Sequence, residues 1–142
     1  MKEYQKLYRL VTAALFAAAI AVMTAYMLHI PIPTGGYIHI GDALIYLAAC
    51  LLPLPYAVGA AAVGAGLADL LTAPMWVVPT LIIKAIVVLP FTSRRTRILC
   101  PRNIAAIFIS GLISPVGYGL AACVLLGGPS AFLPQFLGTL IQ

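Results

Sequence analysis

The sequence predicts an all-α membrane protein: a bundle of five to six transmembrane helices in a single domain, the last helix short or truncated. Three observations carry that reading. Hydrophobic residues make up 63% of the 142-residue chain and charged residues only 8%, with a mean hydropathy of +1.11. A soluble domain carries about 25% charged residues, so this chain cannot keep its surface polar and must turn most of it to lipid. The apolar residues fall into long runs separated by Pro- and Gly-rich breaks. The bases are confined to two clusters, Lys2, Lys6 and Arg9, then Arg94, Arg95, Arg97 and Arg102, with Lys84 alone outside them. Such clusters at the ends of apolar runs act as topology signals and attract anionic lipid. They form no basic stripe for nucleic acid, which is not an expected partner.

The first apolar run, Leu10 to Leu28, spans roughly 28 Å at the helical rise and is long enough to cross. It exceeds the apolar core of a signal peptide and is followed by further runs, so it reads as a retained first helix. Ile30 to Gly36, with two prolines and paired glycines, cannot continue it. From Ala43 to Ala68 only Pro53-Leu54-Pro55 interrupts the apolar character, as either a kink or a turn between two short helices. A kink leaves three crossings between the basic clusters and puts them on opposite faces. A turn leaves four and puts both clusters, and the N-terminus, in the cytoplasm, as the positive-inside rule favours. The turn reading requires a short second helix, Asp42 to Leu52. A fourth helix then runs from about Trp76 to Thr92, and a fifth from about Ile104 to Leu126 with a kink near Pro115. The sixth begins near Ser130 and, at about 18 Å, is too short to span.

Chemistry is sparse. The acids are Glu3, Asp42 and Asp69. No nucleophile–base set, metal-ligand spacing or phosphate-cradling loop is present, so neither an enzyme nor a cofactor protein is expected, and uphill movement needs a partner or an ion gradient. Cys50, Cys100 and Cys123 follow no disulfide or metal pattern. Lys84 lies eight residues into the fourth helix, at a depth where a charge is costly and marks function. Thr80 and Trp76 precede it at four-residue spacing on the same face. Lys84 and Asp69 are expected to form the polar floor of a ligand cavity, or, on a purely structural reading, to tie two helices together. Trp76 or Tyr37 would stack on a ligand ring. Tyr37 and His39 lie in a loop suited to a lid on the outer face. Ala13, Ala17, Ala21 and Ala25 recur every four residues and permit close helix approach, either within the bundle or to another protein.

Several segments resemble a known family. Gly36-Tyr37-Ile38-His39-Ile40-Gly41-Asp42-Ala43, followed by Tyr46-Leu47-Ala48-Ala49, is similar to the lid and second helix of energy-coupling-factor (ECF) transporter S components. Gly66-Leu67-Ala68-Asp69-Leu70-Leu71, with Pro79-Thr80-Leu81-Ile82-Ile83-Lys84-Ala85, is similar to a later part of the same family. The alanine stripe resembles its Ala-x-x-x-Ala motif, and the likeness is closest to the riboflavin, pyrimidine and pyridoxine branch. The resemblance implies six helices with cytoplasmic termini in a prokaryotic cell membrane and a vitamin-like ligand bound near the outer face. Its Tyr37, His39, Asp42, Asp69, Trp76, Thr80 and Lys84 are then the expected ligand contacts, and Ala13, Ala17 and Ala21 the docking surface. The implied partners are a transmembrane coupling subunit and two ATPase subunits, with uptake by toppling of the whole subunit. The competing classes are an oligomeric gradient-driven transporter or channel, which needs no ATPase, and a small membrane enzyme, which has too few acids.

Overall fold

A computed structural model of the chain describes residues 2–27, 30–31, 37–38, 40–93 and 98–141. Six α-helices form among them: α1 Lys2–Tyr26, α2 Gly41–Leu51, α3 Leu54–Thr72, α4 Val77–Val88, α5 Pro101–Leu125 and α6 Phe132–Leu140. Two residues on each side of the first connection make a minimal antiparallel ladder, β1 Ile30–Pro31 and β2 Tyr37–Ile38, with Ile30 opposite Ile38 and Pro31 opposite Tyr37.

The prolines set most boundaries. Leu52 and Pro53 are extended, with ψ of 148° and 144°, so the Pro-Leu-Pro stretch separates α2 from α3 and does not merely kink one helix. Pro101 occupies the start of α5 three residues before the expected Ile104, where its missing N–H costs nothing. The fourth helix is shorter than expected. A 3₁₀ turn over Pro74–Trp76 opens it, and α4 proper stops at Val88, with Leu89 still helical in its backbone angles and Pro90 supplying no N–H to carry the ladder on. The first helix begins earlier than its apolar run, its polar opening turn carrying an exposed Lys6–Glu3 ion pair of 2.8 Å. Pro115 sits inside α5 without ending it. The nine residues of α6 extend roughly 13 Å, as short as the sequence predicts.

Helices α1, α3 and α5 are each long and apolar enough to cross a membrane, and α2 and α4 are shorter apolar helices. α1 packs along α3, α3 along α4, α4 against α5 and α5 against α6, while α2 rests on α1 and α3. The core between α1 and α3 is small-residue packing: Ala13, Ala17 and Ile20 meet Ala57, Ala60, Ala61 and Ala65. At Gly64 a Cβ would lie 2.6 Å from the Ala17 carbonyl oxygen, so glycine is what lets the two backbones approach this closely. The outward faces are leucine, isoleucine, valine and phenylalanine, with Phe108 72% and Val124 82% exposed. This inversion of the soluble pattern identifies the outer surface as the lipid-facing one.

Candidate functional site

Polar side chains converge where α2, α4 and α5 meet. Asp42 stands in the first turn of α2, where the helix N-terminus favours a carboxylate. Lys84 comes from the middle of α4 and is 1% exposed. Its Nζ donates to Asp42 Oδ1 at 2.7 Å and Oδ2 at 2.8 Å, and to Ser114 Oγ of α5 at 3.4 Å. The ammonium also lies 5.3 Å from the centroid of the Tyr118 ring, a cation–π distance. An ion that would be prohibitive in the bundle interior is thus paired bidentately and solvated by a hydroxyl and an aromatic face.

One helical turn away on α4, Thr80 continues the network. Its hydroxyl donates to Asp69 Oδ2 of α3 and lies 2.7 Å from Tyr118 Oη. A threonine hydroxyl has one proton, so with that proton on Asp69 the Tyr118 phenol donates to Thr80. A chain from Tyr118 through Thr80 to Asp69 therefore ties α5, α4 and α3 together. Tyr118 meets both halves of the cluster: its hydroxyl serves Thr80 and its ring faces Lys84. Trp76 packs edge-on to Tyr118, with centroids 5.8 Å apart, and its buried indole N–H has no hydrogen-bond partner among the described residues.

A cavity of about 210 Å³ adjoins this cluster between α2, α5 and α6. Asp42 and Tyr46 line it from α2, Gly111, Ser114 and Pro115 from α5, and Thr139 from α6. Its lining includes one carboxylate residue and three hydroxyl residues among apolar ones, a lining that suits a small ligand carrying both donors and acceptors.

Against the sequence expectations, the pairing is different and the grouping is largely retained. Lys84 pairs with Asp42, not with Asp69, because Asp69 is taken up by Thr80. Among the described residues, Asp42 is the one expected contact that lines the cavity. Lys84 sits one layer behind it, and Thr80, Asp69 and Trp76 lie farther along the same network. His39 and the side chain of Tyr37 lie outside the described residues. Sequence reading passed over Ser114 and Tyr118. Their signal was available: Ser110, Ser114 and Tyr118 recur every four residues on α5, a polar stripe on an apolar helix that faces the bundle. Ser110 completes it by donating to the Val87 carbonyl of α4 at 2.7 Å.

The alanine stripe is also placed differently from a free docking face. Ala13, Ala17 and Ala25 are buried and Ala21 half-buried, with Ala17 pressed on Gly64, so much of the stripe serves packing inside the chain. Its edge remains accessible: Ala13, Ala14 and Ala17 line one wall of a shallow apolar groove of about 260 Å³, whose other wall is Tyr56, Gly59 and Val63 of α3.

Residues 5–142 match the family described as ECF-type riboflavin transporter, S component. A protein of Pyrococcus woesei, described as an uncharacterized protein in gap 3′ region, is 32% identical over 123 residues, covering 84% of this chain and 82% of the relative. No solved structure matches.

Proposed function

The chain belongs to the family of ECF-type riboflavin transporter S components, and from that premise we propose that it captures riboflavin or a related vitamin-like molecule at the outer membrane face for ATP-driven uptake. As a member of that family it is the membrane-embedded substrate-binding subunit of a vitamin transporter, not an enzyme. The observation that supports a specific binding site is the buried Asp42–Lys84–Ser114 cluster opening on the cavity between α2, α5 and α6. Buried ionisable groups are costly in a membrane and persist where they serve a ligand. Asp42 and Ser114 are the groups placed to contact it, and Lys84 holds the Asp42 carboxylate in position. At about 210 Å³ the cavity holds a compact ring, so a three-ring flavin requires α6 to move aside. That movement is feasible because α6 is short and packs mainly on α5.

Capture alone gives no uptake. The proposed complex therefore includes a transmembrane coupling subunit and two ATPase subunits, with the N-terminus cytoplasmic, in a prokaryotic cell membrane. The coupling subunit is proposed to dock along the groove between α1 and α3, where Ala13, Ala14 and Ala17 allow a helix to approach closely. The binding reading is tested by thermal unfolding of purified protein against riboflavin, pyridoxine, thiamine and pyrimidine. Riboflavin or one close relative is expected to stabilise it selectively, and Ser114→Ala to weaken that stabilisation. Equal response to every compound, or full binding by Ser114→Leu, would place the site elsewhere.

A further inference from the structure

A second cavity, of about 610 Å³, lies among α1, the junction of α2 and α3, the stretch from Leu89 to Ser93 after α4, and the start of α5. Arg9 of α1 and Arg102 of α5 both line it, as do Thr92 and Ser93, and among the described residues no carboxylate does. The described lining therefore carries two positive charges and no negative one. Arg102 is oriented by its own hydrogen bond, Nε to the Pro90 carbonyl at 3.2 Å. Thr92 is held by Asn103, which accepts from the Thr92 N–H at 2.9 Å and donates to its carbonyl at 3.0 Å. Arg102 and Thr92 are thus held in place on the polar wall. The opening turn of α5 meets the same space through Arg102, so the helix dipole adds to the attraction for an anion.

The remainder of the lining is apolar, and Leu54 and Leu89 on it are about half exposed. A ligand suited to this cavity carries an anion at one end and hydrocarbon at the other. We infer that it seats the headgroup of an anionic membrane phospholipid, with the phosphodiester between Arg9 and Arg102 and the acyl chains over Leu54 and Leu89. A volume of about 610 Å³ falls within the roughly 300–1,000 Å³ usual for small-molecule sites. The cavity is separate from the one beside Asp42 and shares no lining residue with it.

The test compares short-chain phosphatidylglycerol with phosphatidylcholine added to the detergent-solubilised chain, read as thermal stabilisation. Phosphatidylglycerol is expected to stabilise at lower concentration. Arg9→Gln and Arg102→Gln should each weaken that response about fivefold, the worth of one basic side chain near an anionic surface, and leave the phosphatidylcholine response unchanged. Arg9→Lys and Arg102→Lys, which keep the charge, should retain most of the preference. Inorganic phosphate or glycerol phosphate at matched concentration should not reproduce the effect, since neither covers the leucines. Equal stabilisation by both lipids would overturn the inference, leaving the cavity to a protein partner. An undiminished preference in the double glutamine variant would move the lipid to the other basic residues, and a full response to inorganic phosphate would make this a free-anion site. The wild-type comparison decides the first point even if a variant does not fold.

Discussion

Lys84→Met removes the cation from a pair whose side chains are 1% and 12% exposed. The loss comprises two short charge-assisted bonds, of 2.7 and 2.8 Å, and breaking a buried pair from one side costs about 3–5 kcal/mol. Asp42 is partly compensated, because it lies in the first turn of α2, where the helix N-terminus returns roughly 0.3–1 kcal/mol. Its side chain also borders a cavity, so water can reach it. The expected destabilisation for Lys84→Met is therefore at the low end, about 3 kcal/mol. Asp42→Asn is worse, about 5 kcal/mol, because the ammonium is 1% exposed and is left without a counter-charge, facing only neutral groups: the remaining amide oxygen, Ser114 at 3.4 Å and the Tyr118 ring at 5.3 Å. The double change Lys84→Met with Asp42→Asn should cost far less than the sum, with a coupling of at least about 2 kcal/mol. The assay is thermal unfolding of each purified variant in one detergent, where Lys84→Met should lower Tm by about 6–12 °C at about 2–4 °C per kcal/mol. Riboflavin binding measured on the same samples should fall at least about tenfold for Lys84→Met, or about 1.4 kcal/mol, since Asp42 loses its anchor. Additive single effects, or singles as stable as the parent, would refute the pairing of Asp42 with Lys84.

Two further outcomes follow from the α1–α3 interface. Gly64→Val places its Cβ 2.6 Å from the Ala17 carbonyl and 2.9 Å from Ile20 Cβ, so it should separate the helices and cost about 3 kcal/mol as overpacking, seen as a lowered Tm. Gly59→Phe, at a position where a Cβ meets nothing within 4 Å, should instead fill the groove, leave Tm and ligand binding intact, and block assembly with the coupling subunit. Normal assembly by Gly59→Phe would show that the coupling subunit docks elsewhere.

Composition by itself established the membrane class, since a chain with 8% charged residues has no means of covering itself with polar groups. Breaks were legible in part: proline and glycine act on the backbone locally and marked Pro53-Leu54-Pro55 as an interruption, but it took the placement of the two basic clusters to favour a turn between α2 and α3 over a kink. The order of the segments around Asp42, Asp69 and Lys84 was enough to reveal the family. What the sequence could not decide was which acid meets Lys84. Asp69 is nearer in sequence and on the adjoining helix, but pairing is set by how far each helix has rotated and slid against the next. Only the packed bundle fixes those two variables. It turns Asp69 onto Thr80 and brings Asp42, forty-two residues away, onto the ammonium. The same holds for the alanine stripe. Residues four apart drift around a helix that repeats every 3.6, so which of them face α3 and which border the groove depends on the contact with Gly64. Spacing alone could nominate those residues, and tertiary contact assigned them their sides.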